Sequence, residues 1–263
     1  MLCLAVALGG LYALTTLDTF QIRHTVVTGT GWTTEAEILD ALAVPSGQNA
    51  FALSTGELST RLARVAGLRT ALVRVVLPDT LQVTVVEREP LLAWGVGSHR
   101  YLADAAGLLF AEVGADADPA AIAALPQVDD QRNADVAFTT GSLVDAVTLD
   151  AALRLGSLTP ADLGSTASLL TIRLDDQDGF SITASPVGWT AVFGFYTPEL
   201  RTTDLVPGQV RLLRSLLYGR EAGVARVVLA DDRSGTYIPR ASASGKPGAS
   251  PKSGATPTPS VKP

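Results

Sequence analysis

Leu77-Pro78-Asp79-Thr80-Leu81-Gln82-Val83-Thr84-Val85-Val86-Glu87-Arg88-Glu89-Pro90 is a tight reversal followed by one extended run, and it decides how the region around it reads. Leu81, Val83 and Val85 alternate with Gln82 and Thr84, which predicts a strand with one buried and one wet face. Pro78-Asp79 supplies a preset φ and a side-chain acceptor, so residues 71–77 fold back as the preceding strand. Upstream, Thr34 with Glu37 and Ser54 with Glu57 have the spacing in which a hydroxyl and a carboxylate satisfy reciprocal free N–H groups at a helix start. The first helix carries Ile38, Leu39 and Leu42; the second carries Leu58, Leu62 and Val65. Residues 20–27 are β-prone and end at Thr28-Gly29. Three strands with two helices on one face close this pattern most simply.

The ordered set Phe20-Gln21-Ile22-Arg23, Val26-Val27-Thr28-Gly29, Gly47-Gln48-Asn49-Ala50-Phe51-Ala52-Leu53 and residues 77–90 resembles a POTRA domain of the FtsQ/DivIB cell-division family. The resemblance runs from about Phe20 to Arg240 and is looser after Phe110. It implies a second, larger β domain, no enzymatic activity and no cofactor.

The chain has 263 residues, 47% of them hydrophobic, and a net charge of −6, which argues against general nucleic-acid binding. The single cysteine, Cys3, lies in an apolar run, so neither a disulfide framework nor a cysteine-based metal site is expected. Residues 1–17 are uncharged. As a helix they would cover about 25 Å, slightly short of a hydrocarbon core of about 30 Å. No positive residues precede them and no small-x-small cleavage site is clear, so they do not read as a signal peptide. The resemblance implies one membrane anchor here. It also implies a basic tail ahead of the anchor, and its absence predicts a start codon placed too late or a truncated chain.

After Pro90, residues 91–96, 101–103 and 108–110 read as strands. Asp104-Ala105-Ala106-Gly107 is a hairpin turn rather than a metal or acid site. Residues 112–119 read as a loop. Residues 142–155 and 206–221 read as amphipathic helices, the latter with Pro207 near its start. Residues 167–174, 180–184, 189–195, 224–230 and 236–239 read as strands. Asp175, Asp176 and Asp178 lack the later Glu and the placed Gly of a calcium loop and read as a hairpin tip. Residues 241–263 are rich in Ala, Ser, Gly, Pro and Thr and carry all three lysines; they are expected to be disordered.

No catalytic constellation emerges. His24 and His99 lack metal-ligand spacing, no serine sits in a Gly-x-Ser-x-Gly turn, and no Gly-rich run links a strand to a helix. The fold class is thus α+β: a transmembrane helix over 1–17, a POTRA domain over 20–90, a mostly antiparallel β domain with flanking helices over 91–240, and a tail over 241–263. The function expected is that of a single-pass cytoplasmic-membrane scaffold of the bacterial divisome, with its C-terminal domains outside the cytoplasm and enriched at the septum. The resemblance names FtsB- and FtsL-like partners. It also implies that the last strands pair with an incoming partner strand, at Val227, Val228, Leu229, Tyr237 and Ile238. An exposed sheet edge offers unpaired N–H and C=O groups for such pairing. Arg74 and Arg88 are read as solvent-facing contacts for other division proteins. Two alternatives are an extracytoplasmic enzyme, which a deep polar pocket would favour, and a POTRA-containing secretion factor, which needs a long run of barrel strands.

Overall fold

The computed structural model describes residue 10 and residues 18–114, 117–132, 138–199 and 201–241. It contains a three-stranded sheet and a nine-stranded sheet, each with its own core.

The small sheet has the order β1-β3-β2, with β1 (His24–Thr28) parallel to β3 (Thr80–Glu87) and β2 (Leu68–Val76) antiparallel to it. Two helices, α1 (Glu35–Leu42) and α2 (Thr55–Leu62), cover one face. Thr34 starts α1: its Oγ accepts from Glu37 N at 3.2 Å, and Glu37 Oε2 accepts from Thr34 N at 2.8 Å. Ser54 starts α2, accepting from Glu57 N. Leu81, Val83 and Val85 from β3 pack against Ile38, Leu42, Leu58 and Leu62. Burial of each such side chain stabilises by about 1.5–3 kcal/mol. The alternating Gln82, Thr84 and Val86 face out and are exposed. The first strand starts at His24 rather than at Phe20, because Gln21 bridges to Asn49 and Ile22 N donates to Gln48 O. At Gly29 the backbone takes φ +93°, and a Cβ there would lie 2.1 Å from Val85 O. Only glycine lets the chain leave β1 so close to β3.

The large sheet has the order β12-β11-β10-β9-β8-β7-β4-β5-β6. Its strands are β4 (Leu92–Val96), β5 (His99–Ala103), β6 (Leu109–Glu112), β7 (Gln127–Asp130), β8 (Leu169–Asp175), β9 (Gly179–Ser185), β10 (Thr190–Gly194), β11 (Val224–Leu229) and β12 (Gly235–Pro239). Five of its eight pairings are antiparallel, and three are parallel: β4 with β7, β7 with β8, and β10 with β11. The reason is connectivity. Parallel neighbours need a crossover of a dozen or more residues. The helices α4 (Ala146–Gly156) and α5 (Val206–Leu217) lie in two of those crossovers, after β7 and after β10. Their apolar faces close the main core over Trp94, Ile172, Phe180, Trp189 and Val227. A short helix, α3 (Pro119–Ala123), follows the expected loop over 112–119 and overlaps it only at Pro119; Asp118 caps it and Pro119 stands in its first turn.

On the opposite face, Ala93, Leu102, Phe110 and Ile122 form a smaller cluster joined by Trp32 from the loop before α1. Glu87 holds that loop: its carboxylate accepts from the backbone N–H of Gly31, Trp32 and Thr33 at 2.8–2.9 Å. The small sheet is thus pinned onto the β4–β6 end of the large one.

The expected transmembrane helix, and with it the single-pass membrane placement, is corrected by the helices observed. Among the described residues no helix is long and apolar enough to cross a membrane. The longest, α5, has 12 residues, about 18 Å of rise against a hydrocarbon core of about 30 Å. Within 1–17 only Gly10 is described; the rest of that run, and the tail beyond Ala241, lie outside the described residues.

Candidate functional site

The five residues expected to meet a partner fall on β11 and β12, and the two strands differ sharply. β11 is interior: β10 pairs with it in parallel and β12 antiparallel, with Val227 opposite Tyr237 and Leu229 opposite Gly235. Val227 and Leu229 are fully buried in the main core, and Val228 is half-buried. Val227 and Val228 have strands on both sides, while Leu229 has Gly235 on one side and the Arg201 side chain on its carbonyl, so none of the three presents a border to an incoming strand. β12 is the outermost strand, and all five of its residues are exposed, Tyr237 by 38% and Ile238 by 45%.

The direction of its main-chain groups follows from the two ends of the hairpin. Ala230 N donates to Ser234 O at 2.9 Å, and Arg240 N donates to Gly223 O at 2.8 Å. Alternation along an antiparallel ladder then turns residues 234, 236, 238 and 240 inward and 235, 237 and 239 outward. Gly235 and Tyr237 therefore offer N–H and C=O to solvent, while Pro239 offers only C=O. Proline at this place shortens the open ladder, which is how edge strands avoid indiscriminate pairing.

The hairpin is anchored at both ends. In its turn, Asp231 Oδ1 accepts from Arg233 N at 2.7 Å and Ser234 N at 2.6 Å, and these backbone bonds lower the Asp231 pKa. Arg226 of β11 pairs with Asp178 at 2.5 Å. Ahead of β11, Glu221 accepts from Ser165 Oγ, from Thr166 N and Oγ1 at 2.9 and 2.8 Å, and from Trp189 Nε1 at 2.8 Å. Burial opposes ionisation of that carboxyl, but the hydrogen bonds outweigh it and hold its pKa at about 2.

The remaining polar residues are structural. Asp104 Oδ1 accepts from Ala106 N and Leu108 N, as a turn residue should, and its Oδ2 takes Arg88 at 2.7 Å. Arg88 is therefore committed inside the molecule rather than turned to solvent, whereas Arg74 is exposed. Asp175 Oδ1 accepts from Gln177 N and Asp178 N at the expected hairpin tip. His99 pairs with Glu112 at 2.6 Å, and His24 lies 3.8 Å from Asp79, both in the open. Among the described residues no three His, Cys, Asp or Glu side chains converge as metal ligands would. A cleft beside β7 and β8, lined by Leu125, Gln127, Asp129, Thr159 and Leu170, contains one carboxylate, and Asp129 is already paired with Arg100.

Residues 20–88 match the family model for the POTRA domain, FtsQ-type. The chain is 31% identical over 173 residues to the cell division protein FtsQ of Mycobacteroides abscessus, an alignment covering 66% of this chain and 53% of that protein. This chain carries an FtsQ-type POTRA domain and is similar to FtsQ proteins beyond it. It is also 32% identical over 108 residues to the FtsQ of Mycolicibacterium smegmatis, covering 41% of this chain and 32% of the relative. With the FtsQ of Rickettsia typhi it shares 28% over 97 residues, 37% and 36% of the two chains. The aligned stretch spans about half of the Mycobacteroides FtsQ, 53%.

Proposed function

We propose that this chain is a non-enzymatic scaffold of the bacterial division machinery that captures a partner by adding the partner's strand to β12. One observation carries the reading: the nine-stranded sheet ends on a short, fully exposed strand whose Gly235 and Tyr237 main-chain groups face outward. Such an edge gives affinity through main-chain hydrogen bonds and specificity through alternate side chains. Tyr237 and Ile238 flank it with exposed apolar surface on opposite sheet faces. The FtsQ-type POTRA domain and the similarity to FtsQ proteins support division proteins as partners, and FtsB- and FtsL-like proteins are those we propose. Val227, Val228 and Leu229 act from behind, as the core strand against which β12 is laid. An enzyme is disfavoured by the clefts, where carboxylates such as Asp129 are already paired.

The test is Tyr237→Ala in the full chain. Loss of an aromatic anchor lowers affinity for the FtsB-like partner about 30-fold, ~2 kcal/mol, in a variant that keeps its fold. Unchanged affinity in the folded variant rejects strand addition at this edge.

A further inference from the structure

The β11–β12 hairpin hangs on a short seam. Its parallel register with β10 covers Thr190↔Arg226, Ala191↔Val227 and Val192↔Val228 and ends there. On the other side of β10 the register with β9 shifts at Gly194. An isolated hairpin is marginal in water, so what ties β11 to the sheet beyond Val228 governs how well β12 is held.

Past that point two side chains take over. Arg201 Nη2 donates to Phe193 O at 2.5 Å and to Leu229 O at 2.7 Å, spanning the ends of both strands. Gln209 Nε2 reaches the same two carbonyls at 3.2 and 3.4 Å from the buried face of α5. Tyr196 orients the amide by donating its hydroxyl to Gln209 Oε1 at 2.7 Å. Burial pushes the Tyr196 phenol well above its ordinary range, so it stays a donor, although Arg201 acts in the other direction. The guanidinium lies 5.9 Å from the centre of the Tyr196 ring. Among the described residues no carboxylate lies within 4.0 Å of Arg201, and its buried Nε finds no acceptor. Gly194, at φ +88°, leaves the room; a Cβ there would stand 3.2 Å from the guanidinium.

A partly desolvated cation given over to two main-chain carbonyls is an expensive way to end a strand pair. It is placed one residue beyond the last parallel rung and directly opposite Gly235, at the root of the open edge. We infer that Arg201 and Gln209 are positioning residues for partner capture: by tying Leu229 to Phe193 they hold β12 extended and flush with the sheet before a partner arrives. The inference rests on the strand-addition reading above. Its physical content is pre-organisation, since an edge already ordered spares the incoming strand the cost of ordering it.

The experiment compares Arg201→Met and Arg201→Lys with the unmodified full chain by amide hydrogen exchange and by binding of the purified FtsB-like partner. Arg201→Met speeds exchange at Thr236 and Ile238 about tenfold, as expected for loss of hydrogen bonds from a charged group, and weakens partner binding by a similar factor. Exchange at Ile182 in β9 and Val83 in β3 does not move. Arg201→Lys keeps the charge but cannot span both carbonyls, gives an intermediate effect, and supplies the comparison if the Met variant does not fold. Unchanged exchange at Thr236 and Ile238, or equal acceleration at Ile182, overturns the inference. Loosened β12 with partner binding indifferent to both Arg201→Met and Tyr237→Ala rejects strand addition and the positioning role together. Binding that is sensitive to Tyr237→Ala and indifferent to Arg201→Met rejects the positioning role alone.

Discussion

Arg88 donates to the Asp104 carboxylate at 2.7 Å, joining the last residues of the small sheet's chain to the first hairpin of the large sheet. Arg88 is rooted on its own side as well: its N donates to Gly67 O and its Nε to Ala66 O, both at 2.9 Å. Asp104 is rooted on the other side by Ala106 N and Leu108 N. Each partner is therefore held in place by its own unit before they meet, and little side-chain entropy is left to lose.

The two partners are not equivalent under substitution. Asp104→Ala leaves the Arg88 guanidinium unpaired and two turn N–H groups without an acceptor, and costs about 3 kcal/mol. Asp104→Asn keeps an acceptor for the turn and costs about half as much. Arg88→Met removes two donors, to Asp104 and to Ala66 O, but leaves the turn intact, and falls between the other two. Urea denaturation of the three variants checks the order; equal losses would show that the turn bonds contribute nothing.

Glu221→Gln tests the anchor ahead of β11. The carboxyl titrates at about 2 in the folded chain, against an ordinary value of 4.5. A folded pKa lower than the unfolded one stabilises above roughly pH 4.5, and this stabilisation is lost as pH falls through about 2. The variant is less stable by ~2 kcal/mol at pH 7, since an amide cannot accept all the bonds now made. The difference narrows below about pH 4.5. Denaturation curves at pH 7, 4.5 and 3 measure it; a gap that stays constant would mean that charge plays no part.

Gly29→Ala places a Cβ where Val85 O already stands and forces an alanine to φ +93°. The loss is on the order of 3 kcal/mol and falls on the small sheet. Hydrogen exchange at Val83 and Val85 accelerates while that at Ile182 holds. Equal acceleration in both sheets would mean that the two units unfold together.

The parts of the fold legible in the sequence are those written in local spacing. The Thr34–Glu37 cap, the alternation at 81–85 and the Asp104 and Asp175 turns each involve residues a few positions apart, and each forms. What local spacing does not contain is partnership across the chain. Asp104 reads correctly as a turn residue, yet nothing near it announces Arg88, sixteen positions earlier. Arg201 sits in a stretch without periodicity, and its two carbonyl partners belong to strands on either side of α5. Two further signals lie in the sequence. The run 224–230 is apolar without alternation except at Arg226, as befits a strand with neighbours on both sides, while Pro239 marks the strand after it as the border. The strand–helix–strand spacing around α4 and α5 likewise requires parallel neighbours, which makes the large sheet mixed.

The order of the nine strands also sets a length. From β12 to β5, under which Trp32 is wedged, there are seven inter-strand steps in the sequence β12, β11, β10, β9, β8, β7, β4, β5. At about 4.8 Å per step that is roughly 34 Å. A single chain reaching both Tyr237 and the small sheet would need an arm of about ten extended residues. The sheet works as a calliper: it fixes how far apart two guests stand.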